Sequence, residues 1–314
     1  MIERNLLKDP FCDASDLGQA IPQSHHAVSV SLPRWEDVLA YEEKDPACIN
    51  ALQSIYPRFG LNPLVKEIAE TAIDLNNDIR NSAWPYPNIR TAQKAQDFCQ
   101  RMHAQSYTII QEVSGLQCLI VDAQATPAAK AFWQHTGLGA SSRQAAIALN
   151  KEKSPSINAG EEARKAIRNR LSKIYGCEKD LIQLHPSGMA ALTTALEALK
   201  KLKPKKSILQ LGFPYVDVLK LPQVIFEGSE LLLNPDAPKL IHQLNKQKPA
   251  ALIVELPSNP MLQCLDLPLI SKLAHDRGIA VIADDTIGSA INIDPLPYAD
   301  LVFTSLTKSF AGSG

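Results

Sequence analysis

The sequence predicts an α/β protein built on a mainly parallel sheet, and three observations carry that expectation. From residue 181 onward, short apolar, β-branched runs alternate with amphipathic helical runs. That is the pattern of repeated βα units with right-handed crossovers. Tyr215, Asn259, Asp284 and Lys308 each follow closely on such an apolar run. In parallel sheets ligands bind outside the carboxyl ends of the strands, so four such residues on one edge form a constellation. Finally, the chain has 314 residues, 45% hydrophobic and 21% charged, with net charge −1. This is an ordinary globular balance, with length for two domains or one large one.

The same composition excludes several classes. Near-zero charge without a long basic run argues against nucleic acid as the main partner. The one basic cluster, Lys200 to Lys206, follows a predicted helix and suits the negative end of its dipole. Six cysteines are scattered, with no Cys-x-x-Cys pair. Neither a zinc site nor a disulfide framework is expected, and free thiols in a reducing compartment are. The first residues lack an apolar run fit for a signal peptide, and no run is long enough to span a membrane. The protein is therefore expected to be cytoplasmic, without a membrane partner.

Residues 1–130 are expected to form a mostly helical N-terminal region, separate from a large domain over 131–314. His26 to Leu32 reads as a short extended piece. Leu64, Val65, Ile68, Ala69, Ala72 and Ile73 recur at helical spacing within Leu61 to Arg80. Trp84-Pro85-Tyr86-Pro87 should break that helix. Ile89 to Ser106 reads as a second helix, and Tyr107 to Val121 contains a strand. Ala131 to Arg143 reads as a Gly- and Ser-rich loop ending in an arginine, a residue that matches phosphate in two-pronged fashion. His135 in that loop suits a structural hydrogen bond. Gly160 to Tyr175 is predicted helical.

Leu181 to Leu184 is expected as a strand feeding Ser187-Gly188-Met189, with Ser187 as N-cap of a helix bearing Leu192, Leu196 and Leu199 on one face. Such a turn offers backbone N–H groups and a positive dipole end to an anion. Ser207 to Leu211, Val224 to Glu227, Ala251 to Leu256, Ile279 to Ala283 and Asp300 to Leu306 read as further strands. Pro238 to Asn245 and Leu267 to Arg277 read as helices between them.

The chemistry follows from the residue types. Lys308 leaves the last strand beside Ser305 and Thr307 and before a Gly-rich loop. A solvated lysine ending a strand is the plain interpretation. A Schiff base with pyridoxal phosphate is the functional one, since the amine forms the imine and the hydroxyls bond phosphate. That cofactor needs its ring nitrogen protonated, and a carboxylate such as Asp284 holds the proton by charge pairing. Asp284 or Asp285 would otherwise serve as a helix N-cap. Tyr215 is placed to stack on a planar ring.

Ser187-Gly188-Met189, Glu255-x-Pro-Ser-Asn259-Pro, Asp284-x-Thr286 and Ser305-x-Thr307-Lys308, in that order, resemble the Cys/Met-metabolism pyridoxal-phosphate enzymes. Phe132-Trp-Gln-His135-Thr-Gly, Phe213-Pro-Tyr215 and Asp285-Thr286-Ile287-Gly288 resemble the fungal-type cystathionine γ-synthase branch, as do His26-Ala-Val-Ser-Val-Ser-Leu-Pro and Tyr56-Pro-Arg-Phe in the N-terminal region. The resemblance implies fold type I, aspartate-aminotransferase-like, with residues 131–314 as the cofactor-binding large domain. It implies that Lys308 carries the cofactor and shuttles protons, that Asp284 pairs with the ring nitrogen, and that Tyr215 stacks on the ring. Asn259 would approach the ring hydroxyl. Ser187, Gly188, Met189, Thr286, Ser305 and Thr307 would complete the cofactor site, and Arg143 would bind phosphate from a neighbouring subunit of a homodimer or homotetramer.

The implied reaction acts on amino-acid substrates: cysteine sulfur replaces the acyl group of an O-acyl-homoserine, giving cystathionine. Homoserine sulfhydrylases and cystathionine lyases share the constellation, and a non-catalytic remnant is the alternative from another class. A nucleotide-binding domain would need a Gly-x-Gly-x-x-Gly or Walker loop, and neither is present. Many members carry a tyrosine two residues before the phosphate arginine, where this chain has Ser141. The family continues past its lysine into a small C-terminal domain with an arginine for the substrate carboxylate, whereas this sequence ends at Gly314. A chain lacking that domain, with little turnover by itself, is the expectation.

Overall fold

The two halves of the chain bury their apolar residues differently, and a computed structural model shows how. It describes residues 4–56, 59–76, 82–226 and 228–310. These fall into two units: residues up to Lys130 together with Gly139–Ser154, and Ala131–Leu138 together with the chain from Pro155 on.

The first unit begins with a two-stranded antiparallel ribbon, β1 (Ala20–Ile21) and β2 (Ser29–Val30), then α1 (Trp35–Glu42) and α2 (Pro46–Ala51). Next come α3 (Pro63–Asn76), β3 (Ser82–Tyr86), α4 (Ile89–Met102), β4 (Thr108–Val113) and β5 (Leu116–Val121). The helix α5 (Thr126–Thr136) begins in this unit, and α6 (Ser142–Ala148) returns to it. The three strands form an antiparallel sheet in the order β3-β5-β4. Ser114 and Gly115 both take positive φ, 52° and 85°. That closes the β4–β5 hairpin with a two-residue turn whose twist matches the strands. The apolar stripe of α3 (Leu64, Val65, Ile68, Ala69, Ala72) packs on Leu116, Cys118 and Ile120 of β5 and on Ala145 and Ala146 of α6.

The expected helix breaker, Trp84-Pro85-Tyr86, is instead strand β3. Pro85 is tolerated there because β3 is an edge strand and the missing N–H costs no ladder bond; its carbonyl accepts from Ala140 N at 2.9 Å. The expected loop from Ala131 to Arg143 is largely helical, because Ala128, Ala129, Phe132 and Trp133 bury one face of α5. The end of the expected 61–80 helix, past Asn76, lies outside the described residues.

The second unit contains α7 (Ile157–Tyr175), α8 (Gly188–Leu202), β6 (Ile208–Leu211), α9 (Val216–Ile225), β7 (Ser229–Leu232), α10 (Ala237–Gln247) and β8 (Ala251–Glu255). It continues through α11 (Leu267–His275), β9 (Ala280–Asp284), α12 (Ser289–Asn292), β10 (Leu301–Phe303) and α13 (Leu306–Ser309). The five strands form one sheet in the order β10-β9-β8-β6-β7, and every neighbouring pair is parallel. The α/β class read from the sequence is therefore the class of this unit. Strands β6 and β8 are buried along their whole length, as both-sided burial in a parallel sheet requires. Leu240 and Leu244 of α10 and Leu267, Ile270 and Ala274 of α11 pack on Leu209, Leu252, Val254 and Val281.

Three expected strands need correction. Val224 and Ile225 end helix α9, where Val218, Leu221, Val224 and Ile225 share its buried face; packing overrides their β-propensity, and the strand is β7. Glu227 lies outside the described residues. Leu181 to Leu184 forms no strand: a 3-10 turn covers Lys179–Leu181, and no described strand pairs with the residues that follow. The last strand shortens to Leu301–Phe303, so Lys308 rides on the helical turn α13 after it.

Candidate functional site

Parallel strands deliver their exits to one edge of the sheet, and here four neighbouring exits carry chemistry. Strand β6 leads into Tyr215 at the start of α9. Strand β8 ends in Glu255 and leads to Asn259, β9 ends in Asp284, and β10 leads through Ser305 into Thr307 and Lys308. Register fixes the neighbours. Asp284 pairs with Phe303 of β10 on one side and with Glu255 of β8 on the other.

The loops are stitched together at the same edge. Ser305 N donates to Thr286 Oγ1 at 3.0 Å, and Asp285 N donates to Phe303 O at 3.2 Å. The first turn of α8 joins them: a Cβ on Gly188 would sit 3.0 Å from Ser305 Cβ, so glycine there permits close approach. Ser187 caps α8 by accepting from Ala190 N at 3.1 Å and donates to Gly137 O at 3.3 Å. Thus Ser187, Gly188 and Met189 lie beside the Ser305 turn. The leading N–H groups of α8, a 15-residue helix, have no intrahelical acceptor, the arrangement by which helix starts can attract an anion.

Two carboxyls are buried at this edge. Asp284 is 4% exposed, and its Oδ1 accepts from Thr286 N at 3.0 Å. Burial pushes its carboxyl up to about 6, against the opposing effect of the Thr286 hydrogen bonds. Glu255 is 5% exposed, and its Oε2 accepts from Tyr215 N at 2.6 Å. Burial first, and then the Asp284 charge, push Glu255 up to about 8, although backbone N–H groups of Tyr215 and Asn259 oppose this. Near neutral pH the pair therefore carries about one negative charge, centred on Asp284.

The remaining predicted residues divide by place. Tyr215 is half-buried, while Asn259, Thr307 and Lys308 are exposed. Arg143 is the second residue of α6, exposed, and belongs to the first unit. Neither Asp284 nor Asp285 is a helix N-cap, since Gly288 precedes α12. Asp285 is fully buried and accepts from the Tyr175 hydroxyl at 2.9 Å; burial raises both groups. His135 is structural: its Nδ1 lies 2.8 Å from Asp217 Oδ1 near the start of α9.

Sequence reasoning quoted Glu255 within a motif but gave it no role, and it passed over Tyr175. Glu255 had a signal, a lone acid closing the apolar run Ala-Leu-Ile-Val. Tyr175 had none, because its partner is 110 positions away.

The donor set fits a flat phosphate-bearing pyridinium. A buried carboxylate needs a cationic partner, which a protonated ring nitrogen supplies. The helix start packed against Ser305, with hydroxyls around it, suits a phosphate, and a lysine stands at the next turn.

Comparison with known proteins agrees. Residues 129–314 match the Cys/Met metabolism PLP-dependent enzymes, and residues 64–141 match the N-terminal domain of the fungal trans-sulfuration enzymes. The chain is 30% identical to the L-2-amino-4-chloropent-4-enoate dechlorinase/desaturase of Streptantibioticus cattleyicolor, over 93% of this chain and 61% of that protein. It is 26% identical to the cystathionine gamma-synthase of Neurospora crassa, over 95% of this chain and 69% of that one. Among solved structures, apo CalE6, a methionine gamma lyase from Micromonospora echinospora, overlaps 40% of this chain and 34% of that chain, with 29% identity and a TM-score of 0.35. The chain thus spans about 61% to 69% of the length of the two curated relatives it matches. With more than half of its residues inside the family match, the chain belongs to the Cys/Met metabolism PLP-dependent enzymes, of fold type I, whose cofactor is pyridoxal 5'-phosphate.

Proposed function

We propose that this chain is the cofactor-binding part of a cystathionine γ-synthase-like enzyme, which exchanges the acyl group of an O-acyl-homoserine for cysteine sulfur. The observation that carries this reading is the joining of two strand exits and a helix start: Asp284, the Ser305–Lys308 turn beside it, and the Gly188 turn packed on Ser305. Bound pyridoxal phosphate supplies an electron sink for the charge left when protons leave a substrate carbon.

The chain's own groups supply the rest. Lys308 Nζ would hold the cofactor and, once released, carry protons to and from the substrate. Asp284, buried away from competing water, would pair with the ring nitrogen and hold its proton. Tyr215 would stack on the ring, with Asn259 at the ring hydroxyl. Ser187, Thr286, Ser305 and Thr307, with the N–H groups of Gly188 and Met189, would surround the phosphate. Arg143 would come from a neighbouring copy in a homodimer or homotetramer. No helix among the described residues is long and apolar enough to cross a membrane, and a cytoplasmic location is part of the proposal.

The test is direct. The purified chain is titrated with pyridoxal phosphate, and visible absorbance that is lost in Lys308→Ala is expected; equal absorbance in both proteins refutes the site. O-acyl-homoserine with cysteine, with sulfide, or alone then separates the synthase from a homoserine sulfhydrylase and from an eliminating lyase. The synthase reading requires that whatever turnover this chain shows, low by expectation, gives cystathionine from the first mixture.

A further inference from the structure

Glu255 has no part in the roles given above, yet its carboxyl holds the corner that carries one of them. It closes β8, it is 5% exposed, and its register partner is Asp284. Its Oε2 accepts from the backbone N–H of Tyr215 at 2.6 Å, across from the neighbouring strand β6.

Tyr215 is the residue just before the first turn of α9, where helix N–H groups lack intrahelical acceptors. The side chain of Tyr215 makes no cap bond of its own there. A buried acceptor is therefore the natural anchor for this corner, and leaving such an N–H bare is costly.

We propose that Glu255 is a positioning residue for the cofactor: by accepting the backbone N–H of Tyr215, it fixes the corner from which Tyr215 is to grip the ring. This rests on the pyridoxal-phosphate reading of the site. A second contact supports the importance of the same corner. Asp217, two residues after Tyr215, is held by His135 at 2.8 Å and by Gln134 Nε2 at 3.4 Å. The start of α9 is thus tied from two sides, from β8 by Glu255 and from the end of α5 by His135.

The charge state is consistent with an acceptor role. Burial and the nearby Asp284 favour the protonated acid, and a neutral carboxyl accepts N–H bonds through its carbonyl oxygen while leaving Asp284 as the charged group. Glutamine copies that shape and keeps an acceptor. Methionine matches the length and offers only a weak thioether acceptor.

The experiment compares the full chain with Glu255→Gln and Glu255→Met. Apo melting curves come first, to show folding. Pyridoxal-phosphate affinity is then read by absorbance titration, and ring orientation by visible circular dichroism. Glu255→Met is expected to bind at least about tenfold more weakly, the size expected for one buried N–H left bare, with an altered dichroic band. Glu255→Gln is expected to recover most of both.

If Glu255→Met does not melt cooperatively, Glu255→Asp, one methylene short of the Tyr215 N–H, takes its place with the same expectation. Binding by Glu255→Met within about twofold of the wild type, or Glu255→Gln no better than Glu255→Met, overturns the proposal. Those failures leave the cofactor site standing, provided wild-type absorbance depends on Lys308. If the wild type shows no Lys308-dependent absorbance, the site reading fails and takes this inference with it.

Discussion

At Glu255 and Asp284 two acids hold their protons more tightly in the folded chain than their ordinary values of 4.5 and 3.8 allow. Between the ordinary and folded values, the folded state keeps a proton that the unfolded state has released. Stability is therefore fully present at low pH and is lost as pH rises, over roughly 4 to 6 for Asp284 and 4.5 to 8 for Glu255. The cofactor-free chain should melt at a lower temperature near pH 8 than near pH 6, by an amount on the order of a few kcal/mol in stability. Glu255→Gln should flatten that upper range, since glutamine does not titrate. Melting followed by far-ultraviolet circular dichroism tests this, and parallel pH slopes in the two proteins would sink it. Residues of this kind mark the limit of reading from sequence. The places of Asp284, Tyr215 and Lys308 at strand exits were legible because each follows an apolar run whose end is predictable. Glu255 gains its meaning from a backbone N–H 40 positions away, and a backbone N–H has no signature in sequence.

The element that most constrains the site is the start of α8. Alanine at Gly188 would gain up to about 1 kcal/mol of helix propensity in an open helix interior. Here its Cβ would lie 3.0 Å from Ser305 Cβ and 3.2 Å from Ser305 Cα. Overpacking of that sort costs about 1–3 kcal/mol, so the clash wins. Gly188→Ala should separate the α8 turn from the Ser305 turn and lower pyridoxal-phosphate affinity about tenfold or more. A titration showing unchanged affinity, in a variant that melts like the wild type, would remove the phosphate site from this turn. Among the elements, long periodic helices such as α3, α4 and α7 and the wholly buried strands β6 and β8 were readable, because their pattern reports one environment. The misread pieces depended on neighbours instead. Val224 and Ile225 suit a strand until α9 packs its face, Pro85 suits a break until β3 proves to be an edge, and Leu181 to Leu184 suits a strand but finds no described partner.

At the scale of the whole chain, a sequence boundary at residue 130 leaves out what the first unit draws from beyond it. Ala145 and Ala146 of α6 cover the α3–β5 core beside Leu64, Val65, Ile68 and Ile120. Three contacts hold the 139–154 segment to that unit. Ala140 N donates to Pro85 O at 2.9 Å, Glu152 Oε1 lies 2.7 Å from His26 Nε2, and Ser142 Oγ lies 3.0 Å from His26 Nδ1. The exposed pair Lys151–Glu67 at 2.5 Å adds little by itself. Burying one large aliphatic side chain is worth about 1.5–3 kcal/mol, so uncovering part of these four removes several kcal/mol. Domains of this size hold only about 5–15 kcal/mol in all. A fragment ending at Lys130 should therefore lose its cooperative melt, whereas one ending at Ser154 should keep it. If calorimetry gave both fragments the same sharp transition, α6 would be an ornament on the first unit, and the core would lie elsewhere.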